Sequence, residues 1–114
     1  MKPDARFLKG LQLFNEEKYF ECHEVIEDLW LDTPYEDPYR NLYKGVIQAA
    51  AAVYQSQRGI HTGARGLSSS SLKYLEKYAP EALGLSVAKL IADMKVWDSE
   101  KTAAPRLEYD HGPV

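Results

Sequence analysis

Apolar residues recur along this chain at helical spacing in five stretches, and no stretch of it reads as a strand. Phe7, Leu8, Leu11 and Phe14 mark the first helix, and Asn15 follows as a residue that ends one helix or caps the next. The period predicts a second helix over about 17–31, with Glu16 and Glu17 at its start, where a helix N-terminus favours negative charge. Thr33-Pro34 stops it, because the residue before proline avoids the helical region. Asp37-Pro38 predicts the next start, with aspartate as cap and proline in the first turn. Leu42, Val46, Ala49, Ala50 and Val53 share one face of this third helix, which ends near Gly59. Beside that face Gly45, Ala49 and Ala52 form a small-residue strip that admits another helix closely.

A fourth helix is predicted from a cap at Thr62 through Tyr78, with Ala64, Leu67, Ser71, Tyr74 and Leu75 inward. Pro80 breaks it. Ser86 caps a fifth, with Val87, Leu90, Ile91, Met94 and Trp97 inward. Pro105, Gly112 and Pro113 argue against helix in the tail, where Leu107 and Tyr109 alternate with charge, so the tail is expected to lie extended in a groove. Short connections favour antiparallel neighbours. The expected fold is therefore all-α: one compact five-helix domain over 1–114, as two antiparallel hairpins plus a closing helix. Its core spans about 4–99, and an extended C-terminal tail covers 100–114. Lys9-Gly10-Leu11 in the first hairpin is faintly echoed by Lys44-Gly45-Val46 in the second.

Composition narrows the setting. The 114 residues are 45% hydrophobic and 27% charged, an ordinary globular balance. Net charge is −3 and the Lys and Arg residues are scattered, so no nucleic-acid stripe is expected. The lone Cys22 forms no internal disulfide, and the N-terminus lacks the apolar core of a signal peptide. The longest small-apolar run, Ala49 to Tyr54, is too short for a bilayer. A cytoplasmic protein with no membrane partner is expected. Its eight tyrosines leave amphipathic surface suited to a homo-oligomer.

The chemistry concentrates in the second helix. On a wheel of about 100° per residue, Cys22, Val25, Ile26, Leu29 and Trp30 form the apolar face, with Phe20 and Leu31 further round. His23 and Glu27 fall between these two groups, one turn apart and expected to be partly buried, while Glu24 lies nearer the polar face. Three readings follow. The pair holds helices together as a polar couple; or it shares a divalent ion, zinc or manganese, with Glu24 as third ligand or base; or it lines a pocket for a small molecule or peptide. The zinc-protease helix motif needs a second histidine where Glu27 stands. Further donors would come from Gln48 on the third helix, from His61, or from Asp110-His111 in the tail.

Other polar features have plainer readings. Cys22 lies mid-face and is read as core, Ser68 and Ser71 as small contact residues bonding back to a carbonyl. Trp30 and Trp97 close their helices on the hydrophobic centre. Gly59, Gly63 and Gly66 lack the spacing of a dinucleotide loop.

Phe14-Asn15 with the run from Tyr19 through Cys22-His23-Glu24 and Glu27 to Trp30 resembles the signature of the domain-of-unknown-function family 309. Tyr43 to Ala51, around Gln48, resembles its second block. Arg58 to Ala64 resembles a third, in which an asparagine is expected at the place of His61. The resemblance runs from Phe7 to Leu90 and implies a small all-helical cytosolic protein. Members have been labelled predicted metal-dependent hydrolases, a label that rests on the same histidine–glutamate motif. Carried over, it makes His23, Glu24 and Glu27 the site, with Gln48 lining it. The reading favoured here is a non-catalytic binding or interaction module. The alternative is a metal-dependent hydrolase in which His23 and Glu27 hold the ion and Glu24 activates its water.

Overall fold

The computed structural model describes residues 2–100 and 103–110. Among them, five helices follow in order: α1 Ala5–Asn15, α2 Tyr19–Leu31, α3 Arg40–Gln57, α4 His61–Leu75 and α5 Val87–Glu100. A 3-10 turn, Glu76–Tyr78, prolongs α4. Each helix lies against its neighbour in sequence, and α3 sits between α2 and α4 as the central element. Phe7, Leu11, Phe14, Cys22, Ile26, Leu42, Val46, Leu75, Leu90 and Met94 meet in one core. The all-α expectation therefore holds.

The helix ends show why the chain turns where it does. Asp4 caps α1, its Oδ1 accepting from the Arg6 amide at 2.8 Å, and hydrogen bonds from Arg6 hold its carboxyl below the usual carboxylate range. At the other end, Lys18 N donates to Leu13 O at 2.9 Å and Glu17 N to Phe14 O at 3.0 Å. That is a left-handed helix stop, with φ +63° at Glu17. Glu16 and Glu17 thus close α1 rather than open α2, which begins two residues later than the charge pattern suggests. The same stop ends α3: Ile60 N donates to Gln55 O at 2.9 Å, with Gly59 at φ +78°. There the left-handed position carries the glycine it favours.

Two predicted caps are displaced. Asp37 accepts from the Tyr39 amide at 2.8 Å, but Pro38 lies in a turn and α3 starts only at Arg40. The Tyr78 hydroxyl donates to the Pro38 carbonyl at 2.6 Å, tying this turn to the end of α4. Thr62 caps nothing: the stop at Gly59 leads straight into α4, so Ile60 takes the cap position and Thr62 falls inside the first turn.

The two glycines of the sequence echo do the same work. A Cβ at Gly10 would collide with Ile26 of α2. One at Gly45 would lie 2.8 Å from Leu75 Cδ2 of α4. Each hairpin closes by seating an aliphatic side chain on a glycine of its first helix. Ser71 adds a bond across the second hairpin, donating to the Gly45 carbonyl at 2.6 Å. The expected bond back within its own helix is replaced by this one, because α4 lies so close to α3.

A two-stranded hairpin, β1 Glu81–Ala82 and β2 Leu85–Ser86, precedes α5, although no strand was expected. Leu83 and Gly84 turn it with φ +48° and +80°, positive at both positions as a tight primed turn requires. The tail lies extended beside it, as expected. Ser86 N donates to Glu108 O at 2.9 Å and Asp110 N to Gly84 O at 2.8 Å. The Asn15 side chain clamps Leu107 from both sides, Nδ2 to its carbonyl at 2.9 Å and Oδ1 to its amide at 2.7 Å. Leu107 is 5% exposed and joins the core, which thus extends past the expected boundary at 99. His111 and the Gly112-Pro113 break lie outside the described residues.

Candidate functional site

α2 buries Tyr19, Cys22, Ile26 and Leu29. Cys22 is fully enclosed, and burial pushes its thiol up to about 12, so it stays protonated and inert. Just outside that buried stripe, His23 Nε2 lies 3.1 Å from Glu27 Oε2. Their side chains are 30% and 45% exposed, so the pair sits at a solvent edge. It joins two turns of one helix. Among the described residues neither side chain hydrogen-bonds to α3, so the pair does not hold α2 and α3 in register. Flanking it, Phe20 is 44% exposed and Leu31 63%.

α3 forms the opposite wall. Its half-buried positions Arg40, Lys44, Gln48, Ala51 and Gln55 recur every three or four residues, which makes one strip in view along the helix. Phe20 meets Tyr54 with ring centroids 5.4 Å apart near one end of the α2–α3 contact. Near the other end Lys44 Nζ lies 4.4 Å from the Trp30 ring centroid. The helices run antiparallel, so the turn bearing Glu27 faces the turn bearing Gln48. Gln48 Oε1 is buried and has no hydrogen-bond partner. A cleft opens at the His23 end, lined by Tyr19, Phe20, His23, Ala51, Tyr54 and Gln55, with a volume of about 180 Å³.

Trp97 is buried and Trp30 packs against the core from its edge, both as expected. Trp30 is half-buried, with the Arg40 guanidinium 4.2 Å from its ring centroid, and its Nε1 is buried without a partner. Tyr35, 87% exposed, covers the same guanidinium at 4.3 Å. Ser68 and Ser71 are fully buried, as small contact residues are. Ser71 bonds to α3, while Ser68 Oγ has no hydrogen-bond partner among the described residues, so the carbonyl bond expected of it is not made.

The structure thus brings His23 and Glu27 together and sets Gln48 on the facing turn. Glu24 is exposed and His61 is exposed as the first residue of α4. Among the described residues no group of three or more His, Cys, Asp or Glu side chains is placed to hold an ion. Zinc sites use three or four protein donors, and His23 with Glu27 supplies two of them here. Tyr54, Gln55, Arg40 and Lys44 belong to the surface but were not anticipated. The four-residue recurrence of polar positions along α3 was the available signal.

Residues 7–67 match the family described as Domain of unknown function (DUF309), and the chain belongs to that family. The matched span takes in α1, α2, α3 and the first part of α4, hence both walls of the cleft; the resemblance had been expected to reach Leu90. The chain is also similar to the "Uncharacterized protein YpuF" of Bacillus subtilis (strain 168). The two are 38% identical over 79 residues, which is 68% of this chain and 45% of that protein. The chain therefore spans less than half the length of this relative. No described helix is long and apolar enough to cross a membrane.

Proposed function

We propose, from membership of a family without an assigned activity, that this chain is a non-catalytic interaction module whose α2–α3 face docks a peptide segment of a partner. The carrying observation is the half-exposed stripe Phe20, His23, Glu27 and Leu31 beside the open strip of α3. Apolar and aromatic side chains left in view beside a helix-lined groove are the feature that helix-in-groove and peptide recognition use. The cleft volume of about 180 Å³ favours one inserted side chain over a cofactor, since pockets for drug-sized ligands run to roughly 300–1,000 Å³. His23 and Glu27 then serve as polar contacts at the rim, where they orient a backbone or side-chain amide. A cytoplasmic setting suits the lone, unreactive Cys22.

Selection of random peptides displayed on phage against the full chain tests this reading. Enriched peptides should bind the wild type and lose at least tenfold in affinity on Phe20→Ala with Leu31→Ala. Both side chains are exposed, so the double variant stays folded. Enrichment of binders indifferent to both substitutions, or none at all, would refute it.

A further inference from the structure

We infer that the open strip of α3 selects a partner segment with carboxylates at its two ends and an apolar centre. The inference rests on the docking reading above and adds the charge of the partner. Three cations stand at the ends of the strip, and each is parked on an aromatic ring. Arg40 lies between Trp30 and Tyr35, Lys44 over Trp30, and Arg58 5.6 Å from the Tyr54 ring centroid. The hydrogen bonds they make go to neutral oxygens. Arg40 Nε donates to the Thr33 carbonyl at 3.0 Å and Arg58 Nη1 to the Tyr54 hydroxyl at 3.1 Å. Among the described residues none of the three is in an ion pair, whereas Arg6, Lys18 and Lys89 each are. A ring face holds a cation in place without neutralising it, so these charges are oriented and still lack a counter-charge.

Between the cationic ends the strip is neutral: Gln48, Ala51 and Gln55. Lys44 and Arg58, the residue that caps the C-terminus of α3, are 14 positions apart, a rise of roughly 21 Å. About four turns of a helical segment, or six to seven extended residues, bridge that span. Its apolar centre would lie against Phe20 and the cleft beside His23. α2 carries four carboxylates, Glu21, Glu24, Glu27 and Asp28, of which Glu24 and Glu27 lie nearest the strip. Glu27 is engaged with His23, and Glu24 is exposed beyond it, so both steer an acidic segment toward α3 rather than α2. A nucleic acid fits less well. Its phosphates repeat without an apolar interval, and the chain as a whole carries a net charge of −3.

Two fluorescein-labelled 15-residue peptides with one apolar centre, ending in glutamates or in lysines, test the assignment by anisotropy with the full chain. The glutamate peptide should bind about tenfold more tightly than the lysine peptide, since an exposed charge pair contributes a factor of about 1.4–5 and several act together. Lys44→Glu and Arg58→Glu should each weaken the glutamate peptide about threefold, strengthen the lysine peptide, and melt close to the wild type. Equal affinity for the two peptides, the reverse order, no binding of either, indifference to both charge reversals, or tighter binding of an oligothymidylate overturns the inference. If the peptides tie but both weaken on Phe20→Ala, the docking reading stands and only the charge assignment falls. If neither responds to Phe20→Ala, the docking reading falls too.

Discussion

Replacing Gly45 by alanine should destabilise the protein, while the same change at Gly66 should stabilise it. A Cβ at Gly45 would lie 2.8 Å from Leu75 Cδ2, 2.9 Å from Leu75 Cγ and 3.3 Å from Tyr74 Cβ. Leu75 is fully buried. Overpacking of this kind costs about 1–3 kcal/mol. Pushing α4 away also stretches the Ser71–Gly45 bond of 2.6 Å, worth about 0.5–1.5 kcal/mol. A Cβ at Gly66 meets nothing within 4 Å. Both positions are helical, so each variant gains about 0.8–1 kcal/mol of helix propensity, and that gain cancels between them. Gly45→Ala should therefore be less stable than Gly66→Ala by about 1.5–4.5 kcal/mol. Urea denaturation reads this as a split in midpoints at unchanged slope. If Gly45→Ala is as stable as Gly66→Ala, α3 and α4 do not approach as described.

The other predictions concern sites outside that contact. Glu27→Ala should cost only about 0.3–0.5 kcal/mol in a urea titration, because its ion pair is half-exposed and internal to one helix; a loss above about 2 kcal/mol would mean that the pair is a buried strut. Asn15→Ala removes both hydrogen bonds to Leu107 and should cost about 1–3 kcal/mol. It should also speed hydrogen exchange at the Leu107 amide while leaving the amides of α3 protected. Glu17→Gly should raise the melting temperature, since glycine takes the φ of +63° without strain, for a gain of about 0.5–1 kcal/mol. Native protein at pH 8 should not react with a thiol reagent, because the Cys22 thiol is pushed up to about 12 by burial and reacts only as the thiolate.

Much of the fold was legible because its signals are local. Apolar periodicity located all five helices, Thr33-Pro34 and Gly59 marked their ends, and the Gly10 and Gly45 echo proved to be two points of close helix contact. The misreadings share a cause. Glu17 occupies a left-handed stop that glycine usually fills, so its charge suggested the start of a helix rather than the end of one. Leu83 and Gly84 form a turn whose usual marker is Asn-Gly, so the short hairpin carried no signal.

The site was half legible. A wheel shows which side of α2 His23 and Glu27 occupy, and their pairing followed from a four-residue spacing. It does not show how far the shoulder of α3 rises beside them, and that shoulder leaves the pair half-exposed. Nor does periodicity set the register of α2 on α3. That register brings Tyr54 and Gln55 to His23, and Arg40 and Lys44 to Trp30.

Amide chemical-shift mapping of the full chain with a phage-selected peptide is the most direct test of the docking surface. Shifts should cluster at Phe20, His23, Leu31, Lys44, Gln48 and Gln55, with the tail groove around Ser86 and Leu107 unmoved. Shifts confined to that tail groove, or scattered evenly over all five helices, would contradict it.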